Sequence, residues 1–164
     1  MFLPKMNVLI KDLRIFPKSE FLLKFDGCSK GNPGLAGAGA VLYNNDKEIW
    51  GKSVFMGDKK TNNEAEYTGL IIGLNEAINM NIKNLSVEGD SMLVIKQMNG
   101  EYKVKSEKLI DLYEAAKKMS DKFDTITFTH IYRNNNKRAD ELSNLALNAS
   151  YKNNTIFNSN ILIY

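Results

Sequence analysis

The sequence has one cysteine, Cys28, in 164 residues. That excludes an internal disulfide and any zinc site built from several cysteines. A reducing setting, cytoplasmic or otherwise intracellular, is the expectation. No run of about 18 apolar residues occurs, so no membrane-spanning helix is expected. Met1 to Pro17 contains apolar residues but interrupts them with Lys5, Lys11, Asp12 and Arg14. It lacks the unbroken apolar core and small-residue cleavage site of a secretory signal. No internal repeat and no Pro- or Gly/Ser-rich linker divides the chain. Neither sign of charge dominates: 22 basic against 19 acidic residues leave a formal net charge of +3. That permits a phosphate-bearing partner without demanding one.

What is present is an ordinary globular mixture, 43% hydrophobic and 25% charged, which argues against a disordered chain. The length suits one compact domain. We read residues 20–149 as that domain, 1–19 as an N-terminal extension and 150–164 as a C-terminal tail. Glu20 to Asp26 alternates as a strand, with Phe21, Leu23 and Phe25 on one face. Residues 27–34, GCSKGNPG, read as turn material. Ala38 to Tyr43 and Glu48 to Met56 read as two further strands joined by Asn44-Asn45. Then the period changes. Tyr67, Leu70, Ile71, Leu74, Ala77 and Ile78 follow helical spacing behind a capping box, Thr61 to Glu64. Leu85 to Asp90 predicts a strand, Ser91 to Met98 a short helix and Ser106 to Lys122 a longer one. Thr125 to Ile131 alternates as a strand, and Asn135 or Asn136 can cap a last helix. The order βββ-α-β-α-α-β-α predicts an α/β fold, a mixed sheet with helices on both faces. Right-handed crossovers favour the first, fourth and fifth strands lying parallel.

Four carboxylates stand at suggestive places: Asp26 ending a strand, Glu66 in the first turns of a helix, Asp90 ending another strand, and Asp140 at the start of the last helix. Ligands of open α/β sheets collect beyond the carboxyl ends of parallel strands. Clustered carboxylates repel unless a cation compensates. Oxygen ligands without cysteine point to Mg²⁺ or Mn²⁺. Two such ions about 4 Å apart can activate a water and stabilise the leaving oxygen of a phosphodiester. Each acid also has a plainer reading alone. Asp26-Gly27 is a turn signal, Glu64 is the cap partner of Thr61, and Glu66, Asp90 and Asp140 suit helix starts.

Four stretches together resemble ribonuclease H of type 1. They are Phe25-Asp26-Gly27-Cys28-Ser29-Lys30-Gly31-Asn32-Pro33-Gly34 running on to Gly37-Ala38-Gly39, Thr61 to Tyr67, Gly89-Asp90-Ser91, and Asn136-Lys137-Arg138-Ala139-Asp140-Glu141-Leu142. They span residues 20–149, about four fifths of the chain, in family order. The resemblance implies a ribonuclease H-like fold, a five-stranded mixed sheet of order 3-2-1-4-5. It implies hydrolysis of the RNA strand of RNA–DNA hybrids with two Mg²⁺ ions, Mn²⁺ being the alternative, leaving 5′-phosphomonoesters. By motif position, Asp26, Glu66, Asp90 and Asp140 would be catalytic metal ligands. Ser29, Gly31, Asn32, Asn62, Asn63 and Met92 match substrate-contacting positions, where the hybrid is read from its minor groove. Thr61 matches a position that binds a phosphate of the DNA strand. His130 has the spacing to Asp140 of a flexible-loop histidine. In a subgroup with a His-x-x-Arg pattern, similar to His130-Ile131-Tyr132-Arg133, the arginine takes that role, and Arg133 is favoured over His130.

Where some relatives insert a basic protrusion, Met98 to Lys105 passes directly to the next helix, similar to the shorter archaeal and plant-type forms. Weaker, salt-sensitive binding follows as an expectation. We expect a monomer acting on hybrids, with double-stranded RNA as a side substrate and no membrane partner. Met1 and the lack of a linker suit a separate protein. A non-catalytic hybrid-binding module and a polymerase-dependent ribonuclease H domain are the rival readings.

Overall fold

The computed structural model describes residues 19–153. Apart from Ser19 and residues 150–153, the expected N-terminal extension and C-terminal tail lie outside the described residues. Five strands, β1 (Phe21–Lys30), β2 (Gly34–Asn44), β3 (Lys47–Lys60), β4 (Asn84–Gly89) and β5 (Thr125–His130), form one sheet of order β3-β2-β1-β4-β5. β1 to β3 are antiparallel neighbours, and β4 runs parallel to β1 and β5, as the short links and crossovers predict. The helices are α1 (Asn62–Asn79), α2 (Met92–Met98), α3 (Glu107–Ser120) and α4 (Lys137–Asn153). Residues 99–106 join α2 to α3 directly. No described helix is long and apolar enough to cross a membrane.

The core lies mainly on one face. Leu23, Phe25, Leu42, Leu85 and Val87 of the sheet meet Leu70 and Leu74 of α1, Val94 of α2, and Leu109 and Ala116 of α3. On the other face Ala139 and Leu142 of α4 cover Val41 of β2. β1 is covered on both sides, with Leu23 and Phe25 buried on one face and Leu22 and Asp26 on the other.

Residues 27–34 correct the turn reading. β1 continues to Lys30, pairing Gly27 with Ala38 and Cys28 with Gly37, and β2 begins at Gly34. Asp26 therefore lies inside a strand rather than at its end. Gly27 serves close packing, and ladder hydrogen bonds there outweigh local turn preference, while Gly31 to Pro33 keep the turn. A Cβ at Gly27 would lie 2.1 Å from Ala65 C and Glu66 N of α1. A Cβ at Gly39 would lie 2.5 Å from Ala139 O and 2.6 Å from Ser143 N of α4. Both helices thus rest on the sheet at backbone distance.

Gly27→Ala cannot be absorbed by a side-chain rotation, because the atoms it strikes are backbone. We expect a loss of about 3 kcal/mol in denaturant titrations, a melting temperature lower by on the order of 10 °C. A melting temperature within about 2 °C of the unsubstituted chain would show that α1 can move away freely.

Candidate active site

Register places the acids. Phe25 pairs with Gly89 in the parallel β1–β4 ladder, so Asp26 and Asp90 follow side by side. α1 crosses β1 at Gly27, which sets Glu66 over the same point. One carboxylate oxygen from each of Asp26, Glu66 and Asp90 lies within 4.8 Å of the others. Asp26 and Glu66 are each only 5% exposed. A cavity of about 420 Å³ opens over them, walled by Ser29, Asn62, Ser91 and Arg133 among others.

Burial pushes the Asp26 carboxyl up to about 6; the Asp90 and Asp140 charges add to the rise, and a hydrogen bond from Ser143 opposes it. Burial also pushes Glu66 well above the usual carboxylate range, with Asp26 and Asp90 acting the same way and Arg133 against. Glu66 Oε2 is buried without a hydrogen-bond partner. An oxygen-only donor set, mutual repulsion and an unsatisfied buried oxygen all fit a hard divalent cation at this point. Asp90 and Glu66 with Asp26 are the residues that could hold it.

Asp140 stands apart from that trio. Its Oδ1 accepts a 2.7 Å hydrogen bond from Arg133 Nη2, and the Arg133 side chain is 75% exposed. The two residues predicted as alternatives are separated by the structure. Arg133 lines the cavity, whereas His130 Nε2 lies 3.3 Å from the Asp90 backbone carbonyl and its ring meets Tyr132 edge-on. Arg133 opens a 3₁₀ turn, Arg133–Asn135, absent from the sequence reading.

The predicted contact residues Ser29, Asn32, Thr61, Asn62 and Asn63 gather at the start of α1, with Met92 on α2. Asn62 Oδ1 accepts from Ser29 N at 3.0 Å, and Asn32 Oδ1 accepts from Asn62 N at 2.8 Å. Gly31 occupies the exposed tip of the β1–β2 turn at φ 97°, a conformation suited to glycine. Asn63 is half-buried beside Asn62, and Met92 is exposed at the start of α2. Thr61 caps α1: its Oγ1 accepts from Glu64 N at 3.2 Å and donates to Glu64 Oε2 at 2.9 Å. The hydroxyl proton expected to serve a phosphate is engaged in the cap.

Two residues of the site escaped the sequence reading. Asn136, weighed as a helix cap, is buried, and its Nδ2 donates to Phe25 O at 2.8 Å and to Asp90 Oδ1 at 2.7 Å. Its Oδ1 has no partner, so it makes no side-chain cap. Ser143, fully buried on α4, donates to Asp26 Oδ2 at 2.5 Å. The available signal was the spacing of Asn136, Asp140 and Ser143, which four- and three-residue steps put on one helix face. The half-buried Cys28 thiol is pushed up by burial, which argues against a nucleophilic role.

Folding raises the affinity of Asp26 and Glu66 for protons. Their contribution to stability is therefore full below about pH 4 and is lost as pH rises through about 6 and beyond. In chelator, stability from urea titrations should fall across that window, and added divalent ion should restore it at neutral pH. Asp26→Asn in chelator at pH 7 should be more stable by on the order of 2 kcal/mol; a less stable variant would contradict the repulsion.

A family model described as reverse transcriptase-like matches residues 24–146. The bifunctional protein Rv2228c of Mycobacterium tuberculosis is 39% identical over 132 residues, 80% of this chain. The chain spans 36% of that protein's length. The solved N-terminal RNase H domain of the same protein superposes with a TM-score of 0.78 at 37% identity, covering 82% of this chain and 98% of that one. RNase H1 of the archaeon Halobacterium salinarum gives 0.75 at 36%, covering 79% and 98%. LC11-RNase H1, solved in complex with an RNA/DNA hybrid, gives 0.75 at 33%, covering 80% and 99%. With the sheet order and the acidic trio in place, these matches show that the chain belongs to the reverse transcriptase-like family, and within it to the ribonuclease H type 1 group.

Proposed function

We propose that the chain is an endoribonuclease that hydrolyses the RNA strand of RNA–DNA hybrids with two Mg²⁺ ions, leaving 5′-phosphates. The observation that carries this is the trio of buried Asp26, buried Glu66 and half-buried Asp90, gathered within 4.8 Å with Glu66 Oε2 unpartnered. A binding module has no use for such repulsion. Its relatives add support, since LC11-RNase H1 was solved with a hybrid.

Asp26, Glu66 and Asp90 would hold the ions, with Asp140 as the fourth acid. Bound there, the ions supply an activated water and stabilisation of the leaving 3′-oxygen in an in-line displacement. Asn136 and Ser143 keep the strand carboxylates oriented. Arg133, already directed at Asp140, steadies negative charge at the cavity mouth; as an arginine it is no general base at neutral pH. His130 is engaged at the Asp90 carbonyl, which favours Arg133 for the loop role. Asn32, Asn62 and Asn63, with Ser29, Gly31 and Met92, form the shelf for the minor groove. Among the described residues, the Nδ2 groups of Asn32 and Asn62 have no partner, so they can donate to a 2′-hydroxyl or a base edge.

The test is cleavage of a labelled RNA–DNA hybrid with Mg²⁺ beside single-stranded RNA, double-stranded RNA and double-stranded DNA. Hybrid-selective cutting that stops in chelator is expected. Hybrid binding without cutting would move the reading to a binding module or to a domain that needs a polymerase. Asp26→Asn should lower the rate by several orders of magnitude, since losing an ion ligand costs several kcal/mol of barrier. Turnover above roughly a tenth of the unsubstituted rate, a loss below about 1.4 kcal/mol, would remove Asp26 from the centre. With residues 99–106 in place of a basic protrusion, hybrid affinity should fall steeply with salt. A flat plot of log affinity against log salt would contradict a phosphate-dominated grip.

A further inference from the structure

We propose that Ser143 is a positioning residue of the acidic centre, whose hydroxyl fixes the Asp26 carboxylate for divalent-ion binding. The inference rests on the metal-dependent reading of the site. Ser143 is fully buried, and its Oγ lies 2.5 Å from Asp26 Oδ2. A helical serine ordinarily returns its proton to a carbonyl of the preceding turn. Here Asp140 O is within reach at 2.9 Å, but that carbonyl already accepts Asn144 Nδ2 at 2.9 Å. A hydroxyl has one proton, and the carboxylate is the stronger acceptor. No water can replace the donor at a fully enclosed position without rearrangement.

With Oδ2 engaged, Asp26 does not turn freely about its Cβ–Cγ bond, and its other oxygen has a fixed direction. Asn136 does the same for Asp90, holding Oδ1 at 2.7 Å. Ser143 on α4 and Asn136, the residue just before it, thus supply one donor each to Asp26 and Asp90, with Asp140 between them in sequence. Residues that orient a metal ligand typically change metal affinity or activity by about 10–100-fold when removed. The close seat of α4 over Gly39 is what brings Ser143 N and its side chain to β1 and β2.

The test is Mn²⁺ binding to the full chain, followed by loss of the free-ion paramagnetic resonance signal without substrate, for the unsubstituted protein and Ser143→Ala. The substitution should weaken ion binding by about 10–100-fold. It should lower the melting temperature in chelator by only a few °C, the loss of one buried hydrogen bond, and leave the KM for hybrid essentially unchanged. Raising the ion concentration should restore the cleavage rate. An ion affinity within twofold of the unsubstituted chain would overturn the assignment. So would a large drop in melting temperature in chelator with no rescue at high ion, which marks a packing role. Absence of ion binding by the unsubstituted chain would overturn the metal-dependent reading and this assignment together, whereas normal binding there with an unaffected variant overturns this assignment alone.

Discussion

Two helices rest on the sheet at backbone distance, and the centre depends on that spacing. At Gly27 the α1 backbone comes where a Cβ would stand, and at Gly39 the α4 backbone does the same from the opposite face. A methyl group at either point would force a helix outward. Glu66 would then leave Asp26, or Ser143 would lose it. The interior density of the protein makes such shifts expensive and unlikely to be absorbed locally. The geometry of the acidic centre is therefore a consequence of interlayer distance more than of any loop conformation.

The same compactness sets the acids against one another. Burial removes the water that would screen Asp26 and Glu66, so the repulsion among the gathered acids grows and the proton affinity of these two rises. The structure answers this in three ways. Hydrogen bonds from Ser143 and Asn136 reach two of the carboxylates, Arg133 pairs with the outlying Asp140, and Glu66 Oε2 is left unsatisfied. Such a site opposes folding and favours cation binding, the usual opposition between stability and function.

Much of this was legible in the sequence. Hydrophobic periodicity and turn signals located the five strands and the four α-helices, the Thr61–Glu64 capping box was read correctly, and the strand order followed from resemblance. The failures share a cause. Gly27 looked like a turn because turn propensity is local, while its reason is a helix forty residues away. Asn136 looked like a cap because helix starts favour asparagine, while its Nδ2 serves β1 and β4. Ser143 had no local signature, since its partner lies 117 positions earlier. Placement along the elements and the family motifs named the four acids, but not their division into a close trio and an outlying Asp140 paired with Arg133.

The distance between Asp26 and Ser143 along the chain also has a temporal meaning. Strands β1 to β3 can pair early, through short hairpin links, and α1 can cover them. None of these pieces contains Asp90, Asn136, Asp140 or Ser143. During synthesis β1 to β3 and α1 emerge before α4 does. A nascent domain therefore carries acids without their supports and has no competent centre until α4 docks. Docking of the last helix is therefore the step that completes the acidic centre.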